Sequence, residues 1–235
     1  MKRLVLFTSL LTLSCASLAA EMPADATRIK ALVKQRLNIE AEAVKKLPIG
    51  LYEVVADRNV MYVDKDVKFF VAGHIYDILT QRNLTQIRLD ELVAIDPKQL
   101  PLDQAVKQVK GNGKRVLYTF SDPYCSYCER LERTLQELDN VTIYTFICPL
   151  LGSDEMVDRI FCAKNPAKAW HDWMIDRKEP PTKPESCKTD MGKKNAELTE
   201  KLGITGAPTI YFADGSRMEG AQGKESIEKR FASIK

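Results

Sequence analysis

The chain has 235 residues, 45% apolar and 29% charged, which is enough for one large domain or two small ones with real cores. Its formal charge of +3 includes Lys2 and Arg3. Without that pair the 35 basic residues become 33 against 32 acidic, a near-neutral surface that gives nucleic acid no footing.

Residues 1–20 run from Lys2-Arg3 through the apolar stretch Leu4 to Leu13 to the small residues Ser14, Ala16, Ser17, Ala19 and Ala20. Charged, apolar and small regions in that order predict a secretory signal cleaved after Ala19 or Ala20, too short to span a membrane. Cys15 also allows a lipoprotein reading, weakened by Thr12 standing where a lipobox prefers Leu. No later apolar run reaches about 18 residues, so no stable membrane insertion is expected. A translocated chain with several cysteines belongs in an oxidising compartment, most simply the periplasm.

Past the signal, Ile29, Leu32, Val33 and Leu37 recur at helical spacing and predict a helix over 24–38. From Leu51 the texture turns to short β-branched and aromatic runs, 51–56, 60–63 and 67–71. The turn-formers Asp57-Arg58-Asn59 and Asp64-Lys65-Asp66 separate them, so an antiparallel meander is expected. One helix and a few short strands close a core poorly and leave strand edges open, which points either to a homodimer through residues 21–80 or to packing on the next domain. Residues 81–113 read as a linker, partly helical and broken at Asp96-Pro97 and Leu100-Pro101, with a further short helical run over 103–109.

The second domain, 114–235, opens with a strand over 115–120, the segment Ser121-Asp122-Pro123-Tyr124-Cys125-Ser126-Tyr127-Cys128, and a helix whose buried stripe is Leu131, Leu135 and Leu138. A strand over 141–147 completes a β-α-β unit and so a parallel pair. Residues 153–202 are mainly helical, with a loop at 179–184. A strand after Gly206-Ala207-Pro208-Thr209, a turn at Asp214-Gly215, a strand through Met218 and a helix over 224–234 follow.

A thiol in the first turn of a helix faces unpaired backbone N–H groups and the positive end of the macrodipole, which favour thiolate. Cys125 is therefore expected to be the exposed, attacking sulfur. Cys128, one turn on, is expected to be buried and close enough to resolve a mixed disulfide. As a bare pattern Cys-x-x-Cys is also half a zinc site. No second such pair follows, and Cys148, Cys162 and Cys187 stand singly with only His74 and His171 to supplement them, which weighs against metal. Without Cys15 five cysteines remain, an odd number that leaves one thiol unpaired.

Taken together these motifs resemble the DsbC/DsbG family of periplasmic disulfide isomerases, with the DsbC branch the nearer, over essentially the whole mature chain. Cys125-Ser126-Tyr127-Cys128 is similar to the family's Cys-Gly-Tyr-Cys, Phe161-Cys162-Ala163-Lys164 to its Trp-Cys-Ala-Lys stretch, and Gly203 through Thr209 to its cis-proline loop. The resemblance implies a thioredoxin-like domain with a helical insertion, preceded by a small α+β dimerisation domain and a linker helix. It also implies catalytic Cys125 and Cys128, a structural disulfide between Cys162 and Cys187, and no cofactor. Pro208 and Ala207 would meet the substrate chain. Tyr124 and Tyr127 are read either as substrate contacts or as turn-lining aromatics. Misfolded disulfide-containing proteins would be the substrates, and a DsbD-type membrane thiol donor the recycling partner. Some chaperone activity is implied too. Two departures stand out: Ala207 where the DsbC branch usually has Thr, and Cys148 where the family usually has another residue, here read as a buried inert thiol. A DsbG-like reductase, a thiol oxidase and a redox-independent holdase are the alternatives.

Overall fold

The computed structural model describes residues 24–234, so the expected signal segment and Cys15 lie outside the described residues. The chain divides into two compact units, the first ending at Gly73 and the second beginning at His74.

In the first unit, helix α1 (Ala24–Leu37) lies against a four-stranded antiparallel sheet of β1 (Ala43–Lys46), β2 (Tyr52–Ala56), β3 (Asn59–Val63) and β4 (Phe70–Val71), in that order. The helix buries Ile29 and Val33 on Tyr52, Val54 and Val63, and Tyr52 donates its hydroxyl to Asp25 at 3.0 Å. The β2–β3 hairpin turns on Asp57 and Arg58, both at positive φ, a turn whose twist matches that of the strands. β1 went unread because Ala43-Val44-Lys45-Lys46 has no apolar alternation; it pairs only with β2, at the sheet edge.

The second unit starts with a small hairpin, β5 (Tyr76–Asp77) and β6 (Arg82–Asn83), leading into α2 (Leu84–Val93), where Asn83 caps the Gln86 amide at 3.0 Å. The run 103–109, expected to be helical, is not. Leu102–Gln104 is a 3-10 turn and Val106–Lys110 is strand β7, paired antiparallel along its length with β9 (Val141–Ile147). The five-stranded sheet therefore takes a strand from inside the stretch read as linker. The helical reading failed because two of the inward-facing positions of β7 are polar. Gln108 reaches the Glu132 carboxylate at 3.3 Å, and Lys110 meets the carbonyls of Leu135 and Gln136.

Strand β8 (Arg115–Ser121) lies at the centre of this sheet, parallel to β9 from Arg115 opposite Val141 to Ser121 opposite Ile147. The full order is β11-β10-β8-β9-β7, with β10 (Thr209–Phe212) and β11 (Arg217–Glu219) antiparallel. Between β8 and β9 runs α3 (Ser126–Gln136). Between β9 and β10 come α4 (Asp154–Phe161), α5 (Pro166–Asp176) and α6 (Met191–Leu202), the expected helical insertion, and α7 (Lys224–Ser233) closes the chain. Alternation along β8 and β9 sends side chains to two cores. Leu117, Ile143 and Ile147 face the side of α3, α5 and α7, whereas Phe120, Phe146 and Cys148 pack with Leu100, Ile204 and Tyr211 on the other.

Candidate active site

The central strand β8 delivers the chain to one end of the sheet, and Asp122 then organises the loop. Its carboxylate is fully buried and accepts from the Tyr124 amide at 2.7 Å, the Leu151 amide at 2.8 Å and the Ser153 hydroxyl at 2.9 Å, while its backbone carbonyl accepts from the Cys125 amide at 3.2 Å. Sequence reasoning did not single out Asp122. Its signal was present in the Asp-Pro turn, where an Asp side chain bonds the backbone two residues on.

Held in this way, Cys125 becomes the N-cap of α3. Its sulfur accepts the Cys128 amide at 3.3 Å, and its thiol lies 3.4 Å from the Ala207 carbonyl, 82 residues away in sequence. Cys125 is partly exposed and Cys128 is 1% exposed. Burial, then contact with the Cys125 sulfur, pushes the Cys128 thiol far above the ordinary thiol range. The first sulfur can thus be reached from solvent while the second waits behind it in its unreactive, protonated form.

The Ala207–Pro208 peptide bond is cis and lies next to this pair through the Ala207 carbonyl. Tyr124 and Tyr127 are both exposed at the same end of α3. Tyr124 meets the Trp173 ring edge-on at 6.4 Å, and the Trp173 indole donates to the Pro123 carbonyl at 2.7 Å, so α5 braces the loop before the cysteines. Arg133 donates to Glu129 at 3.0 Å and to the Ile175 carbonyl at 2.9 Å, and Arg177 also pairs with Glu129. These links fix α3 on α5. One turn beyond Cys128, Glu132 is buried, with its oxygens taken by the Trp170 indole at 3.2 Å and the Gln108 and Gln136 amides at 3.3 Å. Burial pushes its carboxyl above the usual range, against the lowering effect of these donors.

Cys162 and Cys187 form a disulfide that ties the end of α4 to the loop before α6. Cys148 is fully buried, its thiol 3.3 Å from the Phe146 carbonyl, and burial pushes it far up as well. It packs in the aromatic core rather than with Cys128, so the fold does not bring it into the pair. Among the described residues no cluster of three or more His, Cys, Asp or Glu side chains is arranged to hold a metal ion, and no helix is long and apolar enough to cross a membrane.

A Cys-x-x-Cys at the start of the helix that follows the central strand, on this sheet and facing a cis-proline loop, defines a thioredoxin-like thiol–disulfide oxidoreductase. Comparison with known proteins narrows the class. A family model described as the thioredoxin-like domain matches residues 102–235, and one described as the disulfide bond isomerase protein N-terminal domain matches 18–86. The probable thiol:disulfide interchange protein DsbC of Bordetella pertussis is 40% identical over 90% of this chain and 75% of its own. DsbC of Dickeya dadantii is 30% identical, over 94% of this chain and 91% of its own. A disulfide interchange protein of Neisseria gonorrhoeae, solved by crystallography, is 33% identical with a TM-score of 0.53, over 57% of this chain and 96% of its own. The chain belongs to the DsbC family of thiol:disulfide interchange proteins.

Proposed function

We propose that this protein isomerises wrong disulfides in secreted proteins. The observation that carries the reading is the Cys125 sulfur, partly exposed, capped by the Cys128 amide and backed by a buried, protonated thiol. The Cys128 amide points at this sulfur and can meet the negative charge that passes through it during exchange. Thiolate Cys125 attacks one sulfur of a substrate disulfide, forming a mixed disulfide and expelling a substrate thiolate. That thiolate attacks another substrate disulfide or returns to release Cys125, with no net change in oxidation. In a stalled complex Cys128 gives up its proton and attacks Cys125, forming the Cys125–Cys128 disulfide and leaving the substrate reduced by two electrons. Isomerisation therefore needs the pair kept reduced, and membership of the DsbC family supports a DsbD-type membrane thiol donor as the recycling partner. Ala207 and Pro208 would present backbone to the bound chain.

The leader-like segment after Lys2-Arg3 supports a periplasmic location. Homodimerisation would use the first unit, whose edge strand β4 presents Phe70 and Val71 to solvent, with exposed Phe69 just before it. Two copies would then offer paired sites to one unfolded chain, the arrangement expected of an isomerase with chaperone activity. Refolding of scrambled ribonuclease tests the core of this reading: Cys125→Ala is expected to abolish it, and retained activity would remove Cys125 from the mechanism. Recovery of the pair from cells in the reduced state is expected; an oxidised pair would favour a thiol oxidase. A Cys125→Ala/Cys128→Ala protein that kept full function in vivo would favour a holdase.

A further inference from the structure

Beyond residue 110, the described chain exposes large apolar side chains in only two places, and both lie on loops bonded to the Asp122 carboxylate. Tyr124 and Tyr127 belong to the Cys-x-x-Cys turn, and Leu150 and Leu151, 37% and 58% exposed, to the loop between β9 and α4. Two leucines side by side in solvent are held there by design of the backbone. The Leu151 amide and the Ser153 hydroxyl both donate to the buried Asp122 carboxylate, the Cys148 amide donates to the Ser121 carbonyl at 2.9 Å, and Gly152 takes positive φ to turn the chain into α4. Asp122 itself holds the Tyr124 and Cys125 amides. One carboxylate thus sets the leucine loop and the nucleophile's loop in a common frame, and Pro149 through Gly152 carry no charge.

We propose that Leu150 and Leu151, with Tyr124, form a rigid apolar lip that grips the polypeptide flanking a substrate cysteine, so that the site selects unfolded protein disulfides with apolar neighbours over small soluble disulfides. The inference rests on Cys125 as the nucleophile. A mixed disulfide brings the substrate Cα within about 4.4–6.8 Å of the Cys125 Cα. The residues on either side of the substrate cysteine, each advancing about 3.3–3.6 Å, must then cross the surface around Cys125. Only an unfolded chain can lay apolar side chains there in an extended path. A lip already ordered by Asp122 loses little freedom on contact, and an uncharged one accepts many sequences.

The test compares the Leu150→Ser/Leu151→Ser protein with the parent, both reduced and full-length, against scrambled ribonuclease and against hydroxyethyl disulfide. Both leucines are exposed, so the fold is expected to survive, and tryptophan fluorescence checks it. Covering part of two leucines predicts that the ratio of the two second-order rate constants, protein over small disulfide, falls on the order of tenfold. A ratio within twofold of the parent's overturns the lip while leaving the nucleophile standing. A parent inert toward both disulfides would overturn the nucleophile assignment and this inference together.

Discussion

Replacing Cys162 and Cys187 with Ser removes a cross-link spanning 25 residues. Closing a loop of that length restricts the unfolded chain by an entropy worth about 3.5 kcal/mol at 25 °C. The folded side should change little, because Arg159 still donates to the Pro180 and Pro181 carbonyls and Glu179, and Lys183 still pairs with Asp158, anchoring the same loop to α4. Both tryptophans of the chain, Trp170 and Trp173, lie in α5 just after Cys162, so their fluorescence reports the second unit alone. With a urea slope of about 2–3 kcal/mol/M, the fluorescence midpoint of the double variant should fall by roughly 1–2 M. Rapid reaction with small disulfides should persist under native conditions, since Cys125 and Cys128 are untouched. A midpoint that moves by less than about 0.3 M would refute the loop-closure reasoning and show that the surrounding contacts already constrain the unfolded chain.

Native alkylation should label Cys125 alone among the free thiols, with Cys128 and Cys148 reacting only after denaturation; mass spectrometry of the labelled peptides reads this directly, and labelling of Cys148 in the native protein would contradict its burial. Asp122→Ala strips the acceptor from the amides of Tyr124 and Leu151, and should lower stability on the order of 3 kcal/mol by the fluorescence midpoint. The same variant should speed hydrogen exchange in both loops. For Glu132 the folded state binds its proton more tightly than the unfolded chain, because burial raises its carboxyl. That group costs no stability below the unfolded glutamate value of about 4.3, and its cost grows as pH rises toward the raised folded value. The stability of Glu132→Gln relative to the parent should therefore be more favourable at pH 8 than at pH 4. An unchanged difference would show that Glu132 titrates as it does in the unfolded chain.

Where neighbours in sequence are neighbours in space, the amino-acid order was enough. The stripe Ile29, Val33 shows α1; the apolar run before Ser121 and the leucines after Cys128 show a strand feeding a helix with two thiols in its first turn. Those are local periodicities, and backbone geometry alone turns them into elements. The family motifs added a pairing of Cys162 with Cys187 that spacing among five cysteines does not select. Contacts between distant segments were decided only in three dimensions. β7 escaped because Gln108 and Lys110 point inward to partners, Glu132 and the α3 carbonyls, that periodicity cannot name. The Ala207 carbonyl reaches the Cys125 sulfur only because β10 lies beside β8. Cys148 falls away from the reactive pair because Ile147 and Cys148, one step apart on the chain, project to opposite faces of the sheet. Asp122, unremarkable in a turn, becomes the anchor of the site because a loop 29 residues further on returns two donors to its buried side-chain oxygens, and polar atoms out of water persist only where such partners meet them.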